Sequence, residues 1–141
     1  MDSLERIAET FEFFEDWEDR YLYLTELGQR LPGMPEACKV PENQVHGCVS
    51  NVWIVADTDD SPTPRVTFRA DSDTPVIKGI LAILLAIYSG KSAEDIHRID
   101  ADRIFDQLGI YDHLSPNRHV GVYAMIEKMR AMAKTTAQMA A

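Results

Sequence analysis

The chain has 141 residues, 45% of them hydrophobic, with a formal charge of -9 and a sequence pI of about 4.8. That length suits one domain over residues 1–141 around one core, and the apolar content excludes global disorder. The acidic balance excludes a protein that grips nucleic-acid phosphates, which needs a basic face, and it fits partners that carry basic patches. No basic segment leads into an apolar signal core. The most apolar stretch, "GILAILLAIY" at 79–88, is too short to span a bilayer, so a cytoplasmic protein with no membrane contact is expected. Two cysteines make no disulfide framework, and in a reducing compartment Cys38 and Cys48 are expected as free thiols.

In chain order, Ser3 to Phe14 reads as a helix. A second starts near Asp16, with Trp17, Tyr21, Leu24, Leu27 and Leu31 on one face, and Pro32-Gly33 stops it. Residues 32–43 hold three prolines and no period, which reads as a loop. "SNVWIVA" (50–56) and "RVTFRA" (65–70) alternate as strands across a turn-rich break and predict an antiparallel hairpin. A third short strand is expected around Gln44 and Val45. Thr74-Pro75 predicts the cap and first turn of a helix over 75–89 that is apolar nearly all round, hence central in the core. Gly90 ends it. Ser92 to Asp95 resembles a capping box for a short helix, and 101–108 reads as another. Ser115-Pro116 starts a last helix with the stripe Val122, Met125, Ile126, Met129 and Ala133, fraying at about 134–141. Helices on both sides of a small antiparallel sheet give an α+β domain.

Candidate chemistry is sparse. "SGKS" at 89–92 lacks the glycine a phosphate loop needs, since Leu85 stands there, and a helix rather than a strand precedes it. Asp71 and Asp73 supply too few oxygens for a magnesium or calcium site and fit a helix N-terminus or surface docking. Cys38, His46 and Cys48 lack the close ligand pairs of a structural zinc site, so no metal is expected. His113 has no nucleophile partner and reads as a half-buried polar residue between helices. Arg118, in the first turn of the last helix, opposes the helix dipole, which hints at a compensating interaction. Cys48 reads either as a small apolar packing residue at a strand edge or as a reactive thiol, and its setting favours the second. It follows Gly47, which permits a sharp backbone path, and a proline-bearing loop, and it opens the first strand. Val45, Val49 and Val52 are expected to wall an apolar recess around its sulfur.

Four blocks, "DWEDRYLYLTELGQRLPGMP", "ENQVHGCVSNVWIV", "FRADSDTPVIKGILAILLAIYSGKSAEDI" and "HLSPNRHVGVYAMIEKMRAMA", occur in order from about residue 14 to 133. Together they resemble the SufE family of sulfur-acceptor proteins. The resemblance implies an α+β fold with a small antiparallel sheet packed on helices, shared with IscU-type scaffolds. It implies that Cys48 accepts sulfane sulfur as a persulfide from a SufS-like cysteine desulfurase and stimulates that enzyme. The sulfur then passes to a SufBCD-like iron–sulfur scaffold complex. The chain would hold no cofactor of its own, the pyridoxal phosphate being the desulfurase's, and a homodimer stays open. His46, Asp71, Asp73 and Arg118 are the pocket or docking candidates. His46, Val49 and Asn51 depart from the residues frequent in the family, and Cys38 matches none of its motifs. Alternatives are a sulfur acceptor for another desulfurase pathway, or a zinc-binding or scaffold-like protein on the same fold; a scaffold wants more thiolates than two cysteines provide.

Overall fold

The structure is a computed structural model that describes residues 3–48, 50–59 and 61–140, the last of these by its backbone. Among them the order is α1 (Leu4–Phe13), α2 (Trp17–Gln29), β1 (Val52–Thr58), β2 (Arg65–Ser72), α3 (Pro75–Tyr88), β3 (Lys91–Ser92), α4 (Ala93–Arg98), α5 (Ala101–Gln107) and α6 (Pro116–Ala140). Single 3-10 turns occupy Glu36–Cys38, Pro41–Asn43 and Tyr111–His113. The sheet runs β1-β2-β3 and is antiparallel throughout, with Val52 opposite Ser72 and Thr58 opposite Val66. This is the expected α+β fold. Among the described residues no helix is long and apolar enough to cross a membrane.

The apolar patterning explains the layers. Val52 and Ile54 of β1 and Val66, Phe68 and Ala70 of β2 are buried on one face of the hairpin. α6 packs on β1, and α3 packs between β2 and α2. α3 buries Val76, Ile77, Ile80, Leu81, Ile83, Leu84, Leu85, Ile87 and Tyr88. Each large aliphatic side chain withdrawn from water contributes about 1.5–3 kcal/mol, so this helix is the largest block of the core. The stripe expected on α6 is buried in full from Val122 to Ala133. The caps also follow the sequence: Ser3, Ser92 and Ser115 accept from the backbone N–H of Arg6, Asp95 and Arg118. Each satisfies an otherwise orphaned helix donor.

Four local expectations change. On α2, Tyr21 is exposed and Tyr23 is buried, because Phe11 and Phe14 cover the Tyr23 side with rings 5.6 and 6.3 Å away. Gln44 and Val45 form only an isolated bridge, Gln44 to Trp53, with Val45 N–H donating to Val52 C=O at 2.8 Å. The third strand is instead Lys91–Ser92, brought alongside Arg65 and Val66 after Gly90 turns the chain at φ 82°. Thr74 stands at the cap position of α3, but its hydroxyl makes no cap bond. Finally, α6 stays helical to Ala140, although Ala133 is its last residue in the core and Met139 is 83% exposed.

α2 and α3 cross at two glycines. A Cβ built on Gly28 would lie 2.7 Å from the Gly79 backbone nitrogen, and one built on Gly79 would overlap the Leu24 carbonyl. Backbone stands in the way at both positions, and moving side chains alone cannot make room for a methyl group. Gly79→Ala should therefore lower stability by about 2–3 kcal/mol, despite alanine's better helix propensity. Urea unfolding checks this. A loss below about 1 kcal/mol would mean that the helices separate at little cost.

Candidate functional site

The loop over residues 44–48 leads to the mouth of β1. Gly47 has φ 97°, a left-handed conformation that a side chain resists, and its Cα lies close enough to α6 that a Cβ would meet Ala124 at 3.5 Å. That path lays Cys48 against α6. Its Sγ donates to the Gly121 carbonyl oxygen at 3.5 Å, across 73 positions of sequence. A cleft of about 180 Å³ opens beside the sulfur, lined by Cys48, Ser50, Ile77, Ser115, Arg118 and Met125, with Asn117 and Gly121 completing it. Its lining mixes apolar Ile77 and Met125 with polar Ser50, Ser115 and Arg118. The thiol is half-buried, and burial pushes it up from 9.0 to about 11, because desolvation disfavours the thiolate. At neutral pH the seated residue is a neutral thiol.

Of the candidates read from the sequence, the fold brings Cys48 and Arg118 together. Arg118 lines the cleft from the first turn of α6, with its backbone N–H capped by Ser115. His46 is exposed and takes no part in the lining. Asp71 is only 7% exposed. It lies opposite Trp53 in the sheet, 3.4 Å from Lys39 Nζ and 3.7 Å from Lys78 Nζ, and it accepts from the Ser72 N–H. Lys39 also sits over the Trp53 ring, so the pair fastens the proline-rich loop to the sheet. Asp73 alone of the two aspartates presents its carboxylate to solvent. It accepts from Asn51 Nδ2 at 2.9 Å, while the Thr74 hydroxyl lies 2.7 Å from Ser50 Oγ and 3.1 Å from Asp73. The Thr74 hydroxyl is thus spent on tying down the chain behind Cys48, which is why it does not cap α3.

The recess is not built as expected. Val45 and Val52 are buried in the main core, and Val49 lies outside the described residues. The walls come from Ile77, Ser115, Asn117, Gly121 and Met125, far away in sequence. The proline-capped start of α6 was a visible signal, but nothing in the pattern aimed it at a cysteine. His113 is exposed rather than half-buried and stacks on Trp17 at 3.9 Å. Cys38, on its own 3-10 turn, does not join His46 and Cys48: among the described residues no three His, Cys, Asp or Glu side chains gather to hold a metal ion.

A family sequence model described as an Fe-S metabolism associated domain, SufE, matches residues 5–133. The chain belongs to the SufE family. It is 46% identical over 135 residues to an uncharacterized SufE-like protein of Rhizobium meliloti, covering 95% of this chain and 96% of that one. It is 44% identical over 138 residues to another from Rhizobium etli, covering 97% and 93%. The solution structure of a hypothetical protein from Thermus thermophilus superposes with a TM-score of 0.76 over 96% of both chains; at 20% identity that supports the fold. SufE membership gives the chain a role in iron–sulfur metabolism, in sulfur transfer.

The raised thiol sets a pH dependence. The folded state keeps the Cys48 proton above the pH at which the unfolded chain loses it. Stability tied to the neutral thiol is therefore intact below about pH 9 and is lost as pH rises through about 11. Tyr88, Tyr111 and Tyr123 are also pushed up by burial, so the Cys48 part must be read by difference. Unfolding free energies of wild type and Cys48→Ala, measured from pH 8 to 11, should converge as pH rises. Parallel curves would contradict a seated neutral thiol.

Proposed function

We propose that this SufE-family chain is a sulfur acceptor whose carrier is Cys48. It takes sulfane sulfur from the persulfide of a cysteine desulfurase, stimulates that enzyme's turnover, and passes the sulfur on for iron–sulfur cluster assembly. The observation that carries this reading is the Cys48 thiol seated at a part-apolar cleft beside Arg118. The step is a relative of thiol–disulfide exchange. The Cys48 thiolate attacks the outer sulfur of the donor's persulfide. A new S–S bond forms on Cys48, the donor's S–S bond breaks, and the donor cysteine leaves as a thiolate that takes up the proton Cys48 has lost. No electrons are gained or lost overall.

Three properties of the cleft support this chemistry. Its volume of about 180 Å³ is several times the ~30 Å³ share of one water, so a second sulfur fits without repacking. Ile77, Met125 and the α6 backbone shield that sulfur from small thiols in solution. Arg118 brings a permanent positive charge to the cleft that receives a persulfide anion. The exposed Asp73 and His46, on either side of the cysteine in sequence, are the docking groups in this reading. Asp71 holds the loop in place through Lys39 and Lys78.

Incubation with a cysteine desulfurase and cysteine should add one sulfur to Cys48, seen by intact mass and peptide mapping. Cys48→Ser should abolish the adduct, and Cys38→Ser should leave it near normal. Sulfur found only on Cys38 would overturn the assignment. In the same assay Arg118→Ala should slow persulfide formation about tenfold or more, since a hydrogen bond to a charged group is worth ~1.5–3 kcal/mol. An unchanged rate would remove Arg118 from the site. Repeating the titration with Asp73→Arg across a salt series tests the docking role, because rim charges act on association and its salt dependence.

A further inference from the structure

α6 meets the cysteine loop at one residue that has no side chain. The inner face of α6 is otherwise filled by Val122, Met125, Ile126 and Met129, all buried. At Gly121 the space a side chain would take is occupied by the Cys48 sulfur: a Cβ there would stand 3.3 Å from Sγ and 3.9 Å from both Cβ and Cα of Cys48. Only the sulfur is too close, and the other two distances are ordinary contact. The same residue offers its carbonyl oxygen to the thiol at 3.5 Å. A carbonyl oxygen accepts and never donates, so it supports the S–H form and gives nothing to a thiolate. A hydrogen bond to the neutral form of an acid holds it neutral.

The rest of the surroundings do not reverse this. From α3 the cleft receives Ile77, from the approach to β1 Ser50, from the residue that caps α6 Ser115, and from α6 itself Asn117 and Met125. Arg118 is the one charged side chain among the lining residues. Burial still governs the thiol and raises it. The Cys48 loop is also the partner able to yield. It reaches α6 through the left-handed Gly47, whereas Gly121 lies inside a long helix.

We propose that Gly121 is a positioning residue for Cys48: lacking a side chain and presenting its carbonyl oxygen, it draws the thiol against α6 and keeps it withdrawn from solvent. This rests on the reading of Cys48 as the sulfur carrier only for its purpose. The seat itself is a property of the chain alone. Any side chain at 121 lifts the sulfur away from the carbonyl and toward water, which makes it more acidic and more open to small electrophiles.

The test needs no desulfurase, so it fails or succeeds independently of the sulfur-acceptor reading. The rate of Cys48 alkylation by iodoacetamide is measured against pH in a Cys38→Ser background, with and without Gly121→Ala. The parent profile should have its midpoint near 11. Gly121→Ala should shift it down by about one unit or more, which raises the thiolate fraction near neutral pH about tenfold. Superimposable profiles from folded proteins would overturn the proposal. Stability gives a second reading that survives poor folding of that variant. Gly121→Ala should lower the melting temperature markedly in the presence of Cys48 and at most half as much in a Cys48→Ala background, where the methyl meets no sulfur. An equal loss in both backgrounds, or failure of the double variant to fold, would show that the glycine serves helix packing and not the thiol.

Discussion

The crossing of α2 over α3 at Gly28 and Gly79 sets the geometry on which the rest of the molecule depends. The glycines let the two backbones approach so closely that a Cβ on either one would collide with the backbone of the other helix. That depth lets α3 lie between α2 and the sheet and bury nearly all of its circumference. Three residues from the start of α3 then fall where the cysteine loop needs them. Thr74 reaches Ser50, Ile77 walls the cleft, and Lys78 meets Asp71. The packing of the core and the placing of the thiol are thus one constraint. A shift of α3 along α2 would spoil both.

The cysteine loop is held from two sides by different forces. Ahead of it, Lys39 ties the proline-rich segment to Asp71 and the Trp53 ring. Behind it, Asn51, Asp73, Thr74 and Ser50 stitch the chain to the corner between β2 and α3. These contacts are polar and partly exposed, so each contributes little to global stability. Their combined effect is to fix where Cys48 sits while leaving the turn at His46 and Gly47 on the surface. The proposed carrier role calls for that combination: a thiol fixed enough to rest in its cleft, and bound weakly enough to leave it.

The resting thiol is the reverse of an activated one. Reactive cysteines usually sit beside cations or at helix N-termini that lower their pKa. Cys48 shares its cleft with Arg118 at the start of α6, yet burial raises it all the same, and it bonds to a carbonyl oxygen. A neutral, withdrawn thiol resists adventitious oxidation and alkylation. In the proposed role as sulfur carrier, Cys48 would therefore need a change of surroundings before it reacts.

Much of this protein was legible in the sequence, because local signals are strong where neighbours in sequence are neighbours in space. The serine caps at Ser3, Ser92 and Ser115, the alternation of the hairpin, and the all-round apolarity of α3 each depend on a few adjacent residues, and each gave the right element. Cys48 could be singled out by its glycine and its place at the mouth of a strand. The expectations that changed are those that depended on distant chain. Tyr23 rather than Tyr21 turned inward because α1 covers that side. Lys91–Ser92 became the third strand because the turn at Gly90 delivers it to β2. Asp71 turned inward because Lys39 and Lys78 arrive from two other elements. The walls of the thiol cleft come from α3 and α6, and no spacing rule links Gly121 to Cys48 across 73 residues. Sequence pattern alone determined the helices and the hairpin, and it singled out Cys48 as a candidate. Only tertiary packing decided what surrounds that thiol, because burial and carbonyl contacts come from chain brought together by the fold.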